Sequence, residues 1–482
     1  MSRRGVLGWL PCIINLSNYP TWISRRDVPE LAASYVLRTM NDSSKYTVCF
    51  SVLRAVFLRD VLLPYDIVQN NGYIINLGSL SSGELLPYLS SPFQHGARSS
   101  PYPIIRPCES IEVKGRLDGI VDTNKSCYFE ADHSKRMMRN MYIRALRLWV
   151  IPKCPGEPPE PQQIGYINVI PARNDGGIFD SFGDTVRKFN MHLRQRPLPA
   201  IDFTYDVIGR ILNMESQEMK FHEWGVGVDP DESCWVESVK FNVSFLVVIR
   251  VFYEIGLPGY EEIGCADFVP SCLDPGSQFA GAAEFESFGE VVQKANSWVR
   301  QQQNVRVTNV QSIDYKVRHG SEVTQVDTQR SFFVESGRYT TRYLRILRVC
   351  FVRSYYGSPP PVSRPIFLNY VTFEPVMLSS GGIIGIPVFE TLAETMRRAM
   401  AWLNKTRPDV RIVSCESVPI RMFSGNQYGN HEITYTWNRG EQKEFWLLVL
   451  RIFLDGEFED PPPEMLPPPT LEDRESQCCT LS

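Results

Sequence analysis

The chain has 482 residues, of which 43% are hydrophobic and 12% are aromatic. This composition supports packed cores and excludes global disorder. Its 50 Lys and Arg residues nearly balance 54 Asp and Glu residues, which leaves a formal net charge of −4. Nucleic-acid binding usually needs a basic excess, so we expect no nucleic-acid partner.

The N-terminus combines a basic start at Arg3 and Arg4 with a short apolar run that ends at Pro11. No small-residue cleavage site follows, so we interpret this segment as part of the fold rather than as a secretory signal. No stretch approaches 18 uninterrupted apolar residues, and we predict no transmembrane helix. Twelve cysteines without a C-x-x-C pair favour a reducing compartment over a disulfide framework.

One short motif, an apolar run broken by a single arginine, occurs five times. Successive arginines are 93, 103, 98 and 103 residues apart, at Arg54, Arg147, Arg250, Arg348 and Arg451. A fixed period near 100 residues predicts an array of about five similar units.

Other elements recur around the arginine strand in a constant order. A helix is predicted at 285–299 and at 388–403, where apolar residues follow helical spacing, and a weaker copy starts at Asp180. A long alternating strand follows the helix, as at 305–317. A polar loop of roughly 20–30 residues then leads to the arginine strand. A short apolar strand precedes each helix, and its five copies are 11–16, 72–77, 165–170, 263–269 and 367–373.

These elements predict an α+β fold of about five tandem β-α-β-β repeat units, with antiparallel sheets and helices on one face. Neighbouring units would pack sheet to sheet or continue one another's sheets. The composition turns acidic and proline-rich after Gly456, which predicts a flexible, disordered tail. The predicted boundaries are 11–60 for a short first repeat, then 70–153, 163–256, 263–355 and 366–456 for the other repeats, and 457–482 for the tail.

The order β-α-β-β, with a helix over one face of a strongly bent antiparallel sheet, resembles the small dodecin fold. The resemblance lies in element order alone. Dodecins bind flavin between subunits, but a fold does not transmit a function. We therefore assign no cofactor.

The last four residues, Cys479, Thr480, Leu481 and Ser482, match the C-a-a-X pattern for prenylation, and serine at the last position favours farnesyl. The proline-rich linker would let a transferase reach Cys479. A palmitoyl chain on Cys478 would convert marginal membrane binding into stable anchoring. The alternative is a chance cysteine on a tail. Prenylation predicts a cytoplasmic protein that is peripheral to a membrane and attached to it by a lipid anchor.

The repeated arginines allow two interpretations. In the first, each points to the second face of its sheet, where it lies over aromatic rings or pairs with a carboxylate. In the second, clefts between units use these side chains to bind a small aromatic or anionic ligand. We favour the first, because repeated positions usually serve repeated packing. The candidate ligand-binding residues remain Arg54, Arg147, Arg250, Arg348 and Arg451.

Motifs for catalysis and metal binding are missing from the sequence. Its six histidines lack metal-ligand spacing, and no hydrolase, P-loop or dinucleotide motif occurs. An acid or amide next to a serine recurs on predicted strands, where the two side chains face opposite ways and cannot act together. These pairs are Glu109-Ser110, Gln311-Ser312 and Glu416-Ser417. We predict no metal site, no cofactor and no catalytic residue.

The leading hypothesis is a non-enzymatic repeat scaffold that interacts with protein partners and is held at a membrane by prenylation. The first alternative is the ligand-binding module described above. The second is an enzyme whose site is built by converging loops, for which 118–133, 222–237 and 319–330 are the candidates.

Overall fold

A computed structural model of the chain describes the following residues, to which every structural statement below refers: 10–12, 104–115, 122–130, 141–151, 164–195, 208–221, 227–232, 234–236, 242–256, 259–276, 283–317, 326–336, 341–354, 366–379, 387–407, 410–422, 430–438 and 444–466. Over these ranges the chain forms mainly strands in small antiparallel sheets, with three α-helices. This confirms the α+β class.

Four sheets of four strands share one pattern. In each, a long central strand pairs with a second long strand over most of its length. The central strands are β4 (Met141–Ile151), β8 (Asn242–Gly256), β14 (Thr341–Ser354) and β20 (Glu444–Asp455). Their long partners are β2 (Ile104–Gly115), β6 (Ile208–Phe221), β12 (Val305–Val317) and β18 (Arg411–Met422). In chain order we call them the first, second, third and fourth sheets.

The central strands carry the repeated arginines. Their long partners take the place of the predicted alternating strand, and β12 spans 305–317 as expected. Arg147, Arg250, Arg348 and Arg451 lie on β4, β8, β14 and β20. Arg54 lies outside the described residues.

The free side of each central strand pairs with two short strands that lie end to end. One of them precedes a helix in the chain. In the second, third and fourth sheets it is β5 (Ile164–Val169), β9 (Glu261–Phe268) and β15 (Leu368–Phe373). In the first sheet this place is taken by β1 (Leu10–Cys12), from the stretch predicted as the first repeat. The predicted strand at 72–77 lies outside the described residues.

The other short strand comes from the loop of the next sheet. These exchanged strands are β3 (Cys127–Glu130), β7 (Cys234–Val236), β13 (Phe332–Ser336) and β19 (Tyr435–Asn438). Strand β7 pairs with β4, β13 with β8 and β19 with β14, so each sheet receives a strand from its successor. The first sheet's own loop strand, β3, pairs with β20 of the fourth sheet. The exchange therefore closes into a ring of four sheets.

Each helix fills the space between two neighbouring sheets. Helix α1 (Phe182–Gln195) lies in a core shared by the second and third sheets. Helix α2 (Phe288–Gln301) joins the third and fourth, and α3 (Leu392–Lys405) joins the fourth and first. The packed faces are the apolar stripes recognised in the sequence.

Two helices begin three or four residues later than predicted. Ser287 and Thr391 are their N-caps, each in a capping box with the Glu three residues on. The preceding aromatic residues belong to short strands, β11 (Glu284–Phe285) and β17 (Val388–Phe389), that pair with β10 (Cys272–Asp274) and β16 (Met377–Ser379). The apolar residues just before each N-cap continue the helical spacing in the sequence, although they lie outside the helix.

The start of the predicted tail packs against α3. The Phe458 ring meets Trp402 edge to face at 5.0 Å, and Trp402 Nε1 donates to Asp460 at 2.9 Å. Cys478 and Cys479 lie outside the described residues. Among the helices of the described part, none has the length and apolar character needed to cross a membrane.

Candidate functional site

Three polar side chains meet wherever one sheet touches the next. One sheet supplies its arginine and the Glu or Gln opposite it on the long partner strand, and the preceding sheet supplies a serine. We call these meeting points the junctions. Their residues are Arg250, Glu215 and Ser110 (first–second), Arg348, Gln311 and Ser216 (second–third), Arg451, Glu416 and Ser312 (third–fourth), and Arg147, Glu109 and Ser417 (fourth–first).

The serine links both partners from the neighbouring sheet. At the third–fourth junction, Ser312 donates its backbone N–H to Glu416 at 2.7 Å and its hydroxyl at 2.6 Å. Arg451 Nη1 donates to the same hydroxyl oxygen at 2.7 Å. The first–second junction repeats this arrangement, with Ser110 bonded to Glu215 and to Arg250. The network therefore crosses between sheets, while the Glu and Ser of one strand serve different neighbours.

The second–third junction replaces the carboxylate by an amide. Ser216 donates its N–H to Gln311 Oε1 at 3.0 Å, and Gln311 Nε2 returns a bond to the Ser216 carbonyl at 3.0 Å. Arg348 obtains its negative partner from the short strand β9, where Asp267 accepts from Nε at 2.6 Å and from Nη2 at 2.8 Å. Arg348 and Arg451 thus each lie beside a carboxylate, which comes from the short strand for Arg348 and from the long partner strand for Arg451.

The fourth–first junction closes the ring and is the least completely bonded. Glu109 accepts from the Ser417 backbone N–H at 2.7 Å, from its hydroxyl at 3.2 Å and from Trp149 Nε1 at 3.2 Å. Arg147 Nη1 donates a hydrogen bond to the Ser417 hydroxyl. The same Nη1 lies 3.8 Å from Glu109 Oε2, which is too far for a hydrogen bond. Among the described residues, Nε and Nη2 of Arg147 have no hydrogen-bond partner.

A second set of polar bonds follows the β-bulge in the long partner strands. Asn213 exchanges two hydrogen bonds with the Cys108 backbone, at 2.7 and 3.0 Å, across the first–second junction. Asn309 donates one bond to the Met214 carbonyl at 2.9 Å, and Ser414 donates one to the Val310 carbonyl at 3.4 Å, each on the preceding sheet. The corresponding residue of the first sheet is Pro107, which has no polar side chain. The closing junction lacks this second set for that reason.

Burial controls the protonation of these groups. It raises the pKa of Glu109 to about 7, against the weaker opposing charge of Arg147. It also raises the pKa of Glu215 and of Glu416. Burial lowers the pKa of Arg451 to about 10.

The pKa of Arg348 is raised, whereas burial lowers the pKa of Arg147 and of Arg451. Burial alone would lower the pKa of Arg348, but the two hydrogen bonds and the charge of Asp267 raise it above its ordinary value. The bidentate pair therefore compensates for the lost hydration, as such geometry does in general.

The first residue of a helix covers the guanidinium at two junctions. Phe182 of α1 lies 3.7 Å from the Arg348 guanidinium, and Phe288 of α2 lies 3.7 Å from that of Arg451. These distances are those of a cation–π contact. Arginines lying over aromatic rings or against carboxylates are what the first sequence interpretation describes. Ligand binding by the five arginines remains a prediction.

The loops considered for an enzyme site lie at different junctions. Asn124, from the first, accepts hydrogen bonds from the first two backbone N–H groups of α3, both at 2.8 Å. Gln329, from the loop at 319–330, accepts hydrogen bonds from the first two backbone N–H groups of α1, both at 2.9 Å. Glu432 accepts the equivalent two bonds from α2, both at 2.9 Å. Residues 227–232 of the second lie beside Arg250. The described parts of the first and third loops cap helices, and the described parts of the three loops lie at different junctions.

Sequence reasoning found three of these acid–serine or amide–serine pairs but did not recognise them as partners of the arginines, although a signal was present. Their positions repeat with nearly the same period as the arginines, at Glu109, Glu215, Gln311 and Glu416. The pair Glu215-Ser216 had not been recognised as a member of this set. No group of three or more His, Cys, Asp and Glu side chains able to hold a metal ion occurs in the described part of the chain.

No protein-family model, no curated protein and no solved structure matches the chain.

Proposed function

We propose that this chain is a non-enzymatic scaffold built from tandem β-α-β-β repeat units, which interacts with protein partners and is attached to a membrane through its C-terminus. The observation that carries the scaffold role is the use of polar groups at the junctions. The arginines, serines and carboxylates at the junctions hydrogen-bond from one sheet to the next, and so hold the ring together.

The repeat interpretation is supported by the equivalence of the four sheets. Each has the same pairing pattern, and each gives a loop strand to the sheet before it. A helix precedes the long partner strand in the second, third and fourth sheets. Repeat proteins of this kind usually bind partners over extended surfaces.

Membrane attachment rests on the C-terminal sequence alone. Cys479 stands fourth from the end, with Leu481 and Ser482 in the positions that a farnesyl transferase reads. A neighbouring acyl chain on Cys478 would make the attachment stable, because one lipid gives only marginal binding.

The test is to express the full chain in eukaryotic cells and separate membrane from soluble fractions. Wild type should be found with the membranes, and its C-terminal peptide should carry the mass of a farnesyl group. Cys479→Ser should move the protein to the soluble fraction, whereas Cys478→Ser should keep the farnesyl group and weaken the association. An unmodified peptide, or equal partition of wild type and Cys479→Ser, would refute the anchor.

A further inference from the structure

One pair of facing residues in the third sheet departs from the repeat. Cys265 on β9 lies directly opposite Cys350 on β14, which is two residues beyond the arginine of that strand. The other three sheets have at least one aromatic residue at the equivalent pair of positions. These pairs are Pro11 with Trp149, Tyr166 with Phe252, and Tyr370 with Phe453. In the third sheet both positions are therefore occupied by a small side chain with a thiol.

The two thiols are in contact across the strand pair. Their sulfur atoms are 3.7 Å apart, and the Cys265 S–H donates to Cys350 Sγ. The neighbouring Ile263 shows which way the backbone of β9 points. Its N–H donates to Asn190 Oδ1 of α1 at 2.9 Å, and its carbonyl accepts from Asn190 Nδ2 at 2.8 Å. Because alternate residues of a strand direct these groups to the same side, those of Cys265 also point away from β14.

Cys265 and Cys350 therefore form a non-hydrogen-bonded pair. The other strand agrees, since the Cys350 carbonyl accepts from the Thr308 hydroxyl of β12 at 3.3 Å, on the side away from β9. The Cα atoms of such a pair are about 4.5 Å apart, which lies within the range that a disulfide spans. Side-chain rotation is then enough to bring the sulfur atoms to the bonding distance of about 2 Å.

Burial sets the order and the speed of oxidation. Cys265 is half-buried, whereas Cys350 has no exposed surface, so a reagent reaches Cys265 first. Burial and the neighbouring Cys350 raise the pKa of the Cys265 thiol well above its usual range. Since the thiolate is the nucleophile, oxidation at neutral pH is slow. A thiol of high pKa is also a poor leaving group, so the disulfide resists reduction once it has formed.

We propose that Cys265 and Cys350 form a redox-controlled lock, which a small-molecule disulfide such as oxidised glutathione closes. The Cys265 thiolate attacks one sulfur of that disulfide, which gives a mixed disulfide and releases one thiol. Cys350 then loses its proton, attacks the Cys265 sulfur and expels the second thiol. The two cysteines lose two electrons and two protons, and the two released thiols carry them away.

The lock fastens β9 to β14 beside the second–third junction. Asp267, two residues after Cys265, is the bidentate partner of Arg348, two residues before Cys350. The disulfide also closes a loop between positions 85 residues apart, which restricts the unfolded chain. Oxidation therefore stabilises the third sheet and its junction with the second. This device goes beyond the scaffold role and requires neither a protein partner nor a lipid anchor.

The test equilibrates the full-length protein with glutathione buffers of increasing oxidised-to-reduced ratio and then blocks free thiols by alkylation. Peptide mass analysis of oxidised wild type should show a bond between residues 265 and 350, which excess dithiothreitol reverses. The thermal midpoint should be about 5 °C higher for the oxidised than for the reduced protein, because the unfolded chain is cross-linked. Hydrogen exchange of the β9 amides should be slower in the oxidised protein.

Variants that lack one thiol provide the controls. Cys350→Ala and Cys265→Ser should each lose the bond and the dependence of the midpoint on the glutathione ratio. Cys265→Ser changes the half-buried member of the pair, so it serves if Cys350→Ala destabilises the fold. Cys272→Ala, on β10, should behave as wild type. Oxidised wild type without the bond, a bond that leaves the midpoint and the exchange unchanged, or a shift that persists in both single-thiol variants would overturn the proposal.

Discussion

At the scale of the residue, the buried guanidiniums of Arg348 and Arg451 each have one nearby carboxylate, and the chain supplies it from two different positions. The third–fourth junction uses Glu416 on the long partner strand, 3.6 Å from Arg451, with Thr372 on the short strand. The second–third junction has Gln311 on the long strand and Asp267 on the short one. In each case one of the two positions carries a carboxylate and the other an uncharged side chain. The buried arginine therefore keeps one negative partner in either arrangement.

Removing the carboxylate of the third–fourth junction tests this balance. Glu416→Gln should lower the free energy of unfolding by about 3 kcal/mol, because a buried charge loses its partner. Adding Thr372→Asp should recover most of the loss, since it places a carboxylate where Asp267 stands beside Arg348. Urea denaturation of the single and double variants measures both effects. A double variant no more stable than Glu416→Gln would contradict the exchange.

The closing junction should make stability depend on pH. The pKa of Glu109 is about 7 in the folded chain, against 4.5 for an exposed glutamate. The folded protein therefore keeps a proton that the unfolded chain loses. This contribution is fully present below about pH 4.5 and is lost as the pH rises to about 7, by at most about 3 kcal/mol.

Glu109→Gln isolates this effect, because Gln311 shows that an amide fits a junction of the same geometry. The stability of the variant should change much less between pH 4.5 and pH 8 than that of wild type, because the amide does not titrate. Denaturation midpoints at the two pH values provide the measurement. Parallel pH profiles for the two proteins would show that Glu109 is already ionised in the fold.

The arginines were visible from the sequence because they repeat on apolar strands, but their partners were not assigned. Ser417 is 308 residues from Glu109 along the chain, and the two meet only because the ring closes. The Glu and Ser of one strand do face opposite ways, as alternation predicts. Each serves a different neighbouring sheet, which the sequence of one strand cannot reveal.

At the scale of the element, the long strands and helices were predictable from periodicity, whereas the exchanged strands were not. Strands β7 and β3 have three and four residues, too few for an alternating pattern to be recognised. They lie in stretches predicted as polar loops. Their pairing is decided by the neighbouring sheet and therefore depends on tertiary structure.

Capping by an exchanged loop can be tested at α2. Glu432→Ala removes the acceptor of Gly289 N and the negative charge near the helix start, and should cost about 1–2 kcal/mol. Glu432→Gln keeps an acceptor oxygen and should cost less. Denaturation and hydrogen exchange of the Gly289 amide provide the readouts. Equal losses in both variants, with unchanged exchange, would mean that this contact contributes little.

At the scale of the whole molecule, the four sheets form a ring because the earliest exchanged strand pairs with the last central strand. A sequence period shows that units repeat, but an open array and a closed ring have the same period. The pairing between the first and last sheets is therefore visible only in the three-dimensional structure. Closure also places α3 in a core shared by the fourth and first sheets.

Covalent trapping of the closing pair tests the ring most directly. Cys127 is a free, buried cysteine on β3 that pairs with Leu447 on β20. The Leu448 N–H donates to the Ser126 carbonyl at 2.6 Å, which makes Cys127 and Leu447 a non-hydrogen-bonded pair with close Cα atoms. Such a pair suits a disulfide.

The decisive measurement is non-reducing electrophoresis and peptide mass analysis of Leu447→Cys after mild oxidation, with Leu447→Ser as the control. A closed ring predicts an intrachain disulfide between residues 127 and 447, faster migration than the control, and reversal by reductant. Free thiols at both positions, or disulfides that form only between chains, would contradict a ring closed by strand exchange.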